Sequence, residues 1–327
     1  MTAKARLLFF LLLAAAVPAR AFFFGGESDK KAGAILDSMR TAFEAGSCSS
    51  VLELSGGFLD EKPPAAMREE AYGYTGRCYE AAGFADKAIG VYKLARELYP
   101  DNVLFASRLA FIYGQSGFPE LAVPLFLNVL SVETDDIDAN LGLARAYSGL
   151  GFLSKAKEFY SRAVILQDFR DAPTLAEYAR CMLRKRDWAE AVFIAGKGAA
   201  AAPGTSVWKL VEARALAGQG DYKRALPLIE SAIRLDPARQ LRLERALYLL
   251  MGGMPRRAAE AADAELAAGA ADPLASVIKG MALYSQGRRT EAAPYLYAAH
   301  AGGPFMAKIA ASLLGAPQEA TEEPWKK

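Results

Sequence analysis

Few side chains in this sequence could carry chemistry, and their spacing narrows what they could do. The chain has one histidine, His300. No histidine, cysteine or carboxylate stands three or four residues from it on either side. A Ser-His-Asp or Cys-His arrangement needs a positioned base, and a metal site needs several converging ligands. A lone His300 supplies neither. No G-x-S-x-G, H-E-x-x-H or glycine-rich phosphate loop occurs. The inventory therefore argues against an enzyme, a metal centre and a bound cofactor. Three cysteines remain, Cys48, Cys78 and Cys181, an odd number that leaves at least one without a partner in the same chain. The best-represented chemistry is that of guanidinium. Arg40, Arg77, Arg108, Arg145, Arg180, Arg214 and Arg245 recur along most of the sequence. Their planar forks suit carboxylate or phosphate, often in bidentate geometry.

What must position these arginines is a pattern repeated three times between Glu69 and Arg170. At a spacing of 34 residues, Gly83 recurs as Gly117 and Gly151, Ala88 as Ala122 and Ala156, and Tyr92 as Phe126 and Tyr160. Tyr79 returns as Tyr113 and Tyr147, and Ala95 as Val129 and Ala163. Glycine between two helical stretches ends the first and turns into the second. Ala88 and Ala95, seven apart, share a helix face and admit a close neighbour. Pro100 closes the second helix. The unit is helix, turn, helix, turn, and one such pair cannot bury its own apolar face, so units must stack.

A period of this length with these small and aromatic columns resembles the tetratricopeptide repeat. The resemblance implies an all-α, right-handed solenoid superhelix of about eight helix pairs. Repeats fall at 32–65, 69–102, 103–136, 137–170, 172–205, 206–239, 240–272 and 273–306, with a spacer at 66–68. The first is degenerate, with Gly46 at its turn and Pro63-Pro64 at its close. The fifth has Arg186 in place of the turn glycine, and the seventh carries Met254-Pro255 at its turn, with Ala259 and Leu266 in the alanine columns. Met306, Ile309, Ala310 and Leu313 recur at i, i+3, i+4, i+7 and predict a capping helix over 305–316, followed by a disordered tail at 317–327.

Residues 1–21 read as a secretory leader. Lys4 and Arg6 precede an apolar run, Leu7–Val17, and Pro18 precedes the A-x-A pattern Ala19-Arg20-Ala21. An uncleaved anchor extended by Phe22–Phe24 is the rival reading, interrupted by Pro18 and Arg20. Residues 22–31 are expected to form a flexible lead-in. The chain has 39 basic and 37 acidic residues, and setting aside Lys4, Arg6 and Arg20 of the leader leaves a balance of −1. Such a balance gives no general argument for nucleic acid or an anionic membrane surface.

In tetratricopeptide proteins the first helix of each pair lines a concave groove. The ninth position of that helix holds Arg40, Arg77, Arg145, Arg180 and Arg214. Repeats three and seven carry Phe111 and Tyr248 there, with Arg108 and Arg245 three residues earlier. Interleaved with Tyr284, these form a candidate ligand ladder with apolar contacts. The alternative is a solvated stripe paired internally with Glu44, Glu70, Glu80, Glu177, Glu212 or Glu244. Phe84, Phe118 and Phe152, just after the turn glycines, are expected to pack between helices. In repeat register Cys78 and Cys181 occupy a small, buried slot, and stacking brings Cys48 alongside Cys78, a candidate disulfide that leaves Cys181 free. The resemblance implies a non-catalytic scaffold that holds a protein or peptide in its groove, an acidic one where the arginines face it, and the leader implies export to the periplasm or cell surface. An acidic-polysaccharide-binding export module is the alternative.

Overall fold

The computed structural model describes residues 26–268, 272–299 and 302–314. The leader, His300 and the C-terminal tail lie outside these residues. Among the described residues there are seventeen α-helices and no strand. The helices come in pairs: α1 (Glu27–Glu44) with α2 (Cys48–Asp60), α3 (Ala65–Ala81) with α4 (Ala85–Leu98), and α5 (Val103–Gln115) with α6 (Pro119–Val132). Then follow α7 (Ile137–Gly149) with α8 (Leu153–Leu166), α9 (Ala172–Lys185) with α10 (Trp188–Ala201), and α11 (Ser206–Gly218) with α12 (Tyr222–Leu235). The series ends with α13 (Arg239–Met251) and α14 (Pro255–Ala267), α15 (Pro273–Ser285) and α16 (Arg289–Ala299), and a single α17 (Pro304–Leu314).

Two compact units divide the chain, one ending at Phe105 and the other starting at Ala106. In the first unit each helix from α1 to α4 packs on the next, in the second each from α6 to α17 does, and first helices also meet first helices, α1 with α3, α9 with α11 and α13 with α15. This is an all-α solenoid of helix pairs. The turn between paired helices is made by one residue with positive φ. Gly83 (77°), Gly117 (82°), Gly151 (82°), Gly220 (83°) and Gly287 (80°) hold it, and Arg186 adopts the same left-handed conformation at 60°. Asp136, Asp171, Asp221 and Asp272 cap later helices by accepting from backbone amides of the first turn.

The columns read from sequence are buried as core. Tyr92, Phe126 and Tyr160 are buried, as are Ala88, Ala122 and Ala156 behind them. Close approach is visible at Gly142 in α7, where a Cβ would lie 2.3 Å from the Phe126 ring.

The seventh pair departs from expectation. Its turn residue is Gly253, φ 75°, not Met254-Pro255. Gly253 follows Gly220 by 33 residues, where Gly117 follows Gly83 by 34. Counting from this turn, Ala258 rather than Ala259 takes the first alanine column. The second is taken by Glu265, not Leu266, at the level of Ala163, Ala232 and Ala299. Glu265 is buried, and its carboxylate accepts from Arg242 Nε at 2.6 Å and Nη2 at 3.2 Å, with Arg239 Nε at 3.5 Å. Arg239 also reaches Asp272, the cap of α15, at 3.0 Å. A buried carboxylate in an alanine column is tolerated because two guanidiniums satisfy it.

Three smaller differences concern ends. Helix α1 begins at Glu27, inside the expected lead-in, where Ser28 Oγ donates to the carbonyl oxygen of Glu61 and ties the helix start to the end of α2. The spacer 66–68 is part of α3, whose first residue follows Pro64; proline suits the start of a helix, where its missing N–H costs nothing. Helix α17 contacts both α15 and α16, and Leu313 packs on the buried cluster of Leu283, Ala292 and Leu296.

Candidate functional site

The first helices carry the recurrent arginines, and the structure separates those arginines by what lies opposite each in the next repeat. Six residues before the turn residue stand Arg40, Arg77, Arg145, Arg180 and Arg214, with Phe111 in the third repeat. In the seventh repeat, one residue short, that column holds Leu247. Tyr248 falls instead in the column of Cys78, Ala146, Cys181 and Ala215, which is why it is buried rather than presented to a groove. Arg245 likewise sits in the column of the buried Leu109 and Leu143, half-buried, with its Nε unpaired.

Three arginines are held by glutamates of the following repeat. In the first unit, Arg40 donates to Glu70 through Nε at 2.9 Å and Nη2 at 2.8 Å, and Tyr74 adds its hydroxyl at 2.7 Å. Burial pushes the Glu70 carboxyl up, but the hydrogen bonds from Tyr74 and Arg40 outweigh it and hold the group below the usual range. In the second unit, Arg145 grips Glu177 with Nε to Oε2 at 2.7 Å and Nη2 to Oε1 at 2.8 Å. Arg214 grips Glu244 in the same way, at 2.9 and 2.8 Å, and Tyr248 donates to Glu244 at 2.6 Å. These bidentate rungs bridge α7 to α9 and α11 to α13. Donating to the carboxylates raises both guanidiniums above their ordinary value. For these arginines the internally paired reading applies, and their donors are committed to the protein.

The others differ. Arg77 lies over the Phe43 ring, 4.8 Å from its centroid, and Arg108 over Phe111 at 5.2 Å. Tyr284 is half-buried under Arg289 at 5.3 Å. Arg180 is exposed and has no ion pair among the described residues. The reason is visible in α11. Glu177 and Glu244 stand nine residues before their turn residues, and at that place the sixth repeat has Val211, which is buried. Arg180 therefore faces no carboxylate, between two rungs that do have one.

Arg180 borders a cavity of about 340 Å³ whose lining also includes Arg184, Ser148 and Cys181. Arg184 donates to Ser148 Oγ at 3.0 Å and to its carbonyl oxygen at 3.2 Å, so its charge is oriented but not neutralised by a carboxylate. Burial pushes the Cys181 thiol up, which makes it a poor nucleophile at neutral pH. Glu177 in the same wall is neutralised by Arg145. What the cavity offers is two guanidiniums one turn apart. Neither Arg184 nor Ser148 stood out in the sequence, because only the turn register, with Val211 opposite Arg180, marks this place as different.

In the first unit a cavity of about 300 Å³ is bordered by Glu69, Tyr74, Arg77, Asn102 and Phe105. Cys48 and Cys78 form a disulfide there, Cα–Cα 5.0 Å, joining α2 to α3; Cys181 is free and buried. Phe84, Phe118 and Phe152 remain about half exposed. Phe84 meets Tyr79 edge-on at 6.5 Å and Phe152 meets Tyr147 at 6.3 Å, each beneath a lysine, Lys87 or Lys155. Among the described residues no group of His, Cys, Asp or Glu is placed to hold a metal, and no helix is long and apolar enough to cross a membrane.

Comparison with known proteins shows what part of the chain is similar to. A tetratricopeptide-repeat profile matches residues 210–273 and 252–307. The chain is 25% identical over 207 residues to DnaJ homolog subfamily C member 7 of Mus musculus, covering 58% of this chain and 40% of that protein. It thus spans less than half the length of this relative. Among solved structures, a tetratricopeptide repeat protein from Parabacteroides merdae ATCC 43184 is similar with a TM-score of 0.55 at 19% identity, over 76% of this chain and 98% of that one. The MamA protein is similar with a TM-score of 0.50 at 20% identity, over 53% and 93% of the two chains. At these identities the likeness to the solved structures is one of fold.

Proposed function

We propose that this chain of tetratricopeptide repeats is a non-catalytic scaffold outside the cytoplasm, whose first helices hold an acidic segment of a protein partner. The observation that supports this most directly is Arg180. It is exposed, unpaired and one turn from Arg184 in a cavity between two rungs whose charges are already matched. A carboxylate entering there meets donors that need not be taken from an internal partner. A long polyanion is the weaker reading, because it needs a row of free cations, and Arg40, Arg145 and Arg214 are each engaged with a glutamate. The extracytoplasmic location rests on the leader pattern and on the Cys48–Cys78 bridge, since such bonds persist in oxidising compartments.

The test is fluorescence anisotropy with a glutamate-rich peptide at several salt concentrations. Arg180→Gln should weaken binding about two- to fivefold, as loss of one exposed ionic contact does, and should flatten the salt dependence. Unchanged affinity and slope would overturn the assignment of this cavity. For the location, protein recovered from its host should begin at Phe22 and carry Cys48 and Cys78 oxidised. Retention of Met1–Ala21 would sink the cleaved form.

A further inference from the structure

A third cavity, about 860 Å³, is walled by α14, α15 and α16 and uses none of the residues of the first-helix site. Its floor holds a nearly buried charge. Eight residues before the turn residue, repeats three to five bury Leu109, Leu143 and Tyr178. The eighth repeat has Lys279 at that position, with its side chain only 13% exposed. On α14 the wall facing it is formed by Ala259 between longer polar side chains, and a methyl group leaves room.

The lining carries three cations, Arg256, Lys279 and Arg288, and three carboxylates, Glu260, Asp263 and Glu291. Most of these neutralise one another. Lys279 Nζ donates to the Asp263 carboxylate and to the Tyr295 hydroxyl, the latter at 2.6 Å. Arg288 holds Glu291 through two bonds of 2.9 and 2.6 Å. That leaves Arg256 and Glu260, both exposed, four residues apart on one face of α14 and, among the described residues, not joined to each other or to another charge. Residues so spaced stand about 5–6 Å apart at Cβ.

We propose that this cavity is a ligand site for a zwitterion of the amino-acid or short-peptide class, its carboxylate on Arg256 and its ammonium on Glu260. A net anion would be repelled by Glu260, and a net cation by Arg256. An uncharged sugar can bond to both groups through its hydroxyls but brings no opposite charge to either, so it gains less than a zwitterion does. A molecule with both charges at one end-to-end spacing satisfies the pair. The remaining volume accepts the intervening backbone, which can bond to the free oxygen of Gln286, whose amide nitrogen is engaged with the Ala282 carbonyl oxygen.

The experiment is calorimetric titration of the full chain with three probes: triglycine, N-acetyl-triglycine amide and maltotriose. Triglycine should bind at least about tenfold more tightly than the doubly capped peptide, which loses both charge-assisted contacts. Glu260→Gln and Arg256→Gln should each shrink that advantage, while Arg180→Gln leaves it unchanged. Equal binding of capped and free peptide, binding of maltotriose in preference to triglycine, or no binding of any probe would overturn the proposal. The capped-peptide comparison needs no variant, so it stands even where a substitution disturbs folding.

Discussion

Removing Glu177 should strengthen binding of an acidic partner while weakening the array that does the binding. Its carboxylate accepts two bonds from Arg145, at 2.7 and 2.8 Å, and joins α7 to α9. With Arg145 about half exposed and the Glu177 side chain 24% exposed, the pair is largely solvent-screened. Such a pair contributes about 0.5–1 kcal/mol, the upper part of the range for surface pairs because the geometry is bidentate. Glu177→Gln keeps the shape and an acceptor oxygen for Tyr160, and it releases a third guanidinium beside Arg180 and Arg184. A further exposed contact of similar size should improve affinity for a glutamate-rich peptide about two- to fivefold at low salt. The gain should fade as salt approaches the range where such charges are screened. The assay is anisotropy against ionic strength, run beside urea unfolding of the same protein. Weaker binding in Glu177→Gln would mean that the rung positions the cavity. Unchanged binding would place Arg145 outside the contact and refute the reasoning about committed donors.

Further outcomes can be checked without a partner. Gly142→Ala should lower stability by about 1–2 kcal/mol in urea unfolding. Overpacking against the Phe126 ring outweighs the helix propensity gained, and Gly149→Ala, whose Cβ meets nothing within 4 Å, should be close to neutral. Reducing the Cys48–Cys78 bond releases a constraint across 30 residues, worth about 3–4 kcal/mol by loop entropy. Hydrogen exchange should then speed up in α1 to α3 and stay unchanged in α7 to α14, because contacts in arrays are local. Acid should loosen the contact between α8 and α10. The hydrogen bond from Lys157 at 2.9 Å holds Asp187 below its ordinary value, so this contribution is present at neutral pH and is lost as pH falls through the depressed value. A Lys157→Gln variant should show a flatter loss of stability below about pH 4.

The helix pairs were legible because small and aromatic residues at a fixed period answer a single packing demand. Tyr92, Phe126 and Tyr160 must be buried wherever two such helices meet, and their spacing says so without coordinates. Side-chain pairing was not legible to the same depth. Whether Arg145 is free depends on what stands nine residues before the next turn, and Glu177, Val211 and Glu244 differ there while the helices around them do not. Counting from repeat starts also hid the missing residue between Gly220 and Gly253. That count put Tyr248 and Arg245 on the groove face, when one is buried and the other stands in a leucine column.

The two candidate sites follow from a common cause. A stacked repeat needs its columns filled with residues that pack, and each place where a column is broken leaves a polar group to be satisfied by something else. Glu265 breaks an alanine column and is answered from inside by Arg239 and Arg242. Val211 stands where the repeats on either side have Glu177 and Glu244, and among the described residues no carboxylate answers Arg180. Lys279 is nearly buried where repeats three and four have Leu109 and Leu143, and it is answered by Asp263 and Tyr295 in a cavity with Arg256 and Glu260 at its rim. Internal compensation accounts for Glu265 without a ligand, whereas the charge of Arg180 at the edge of a cavity is the one the proposed partner would answer. On that proposal Arg180 contacts the partner and Arg145 is held within the protein, although both occupy the same position of the repeat.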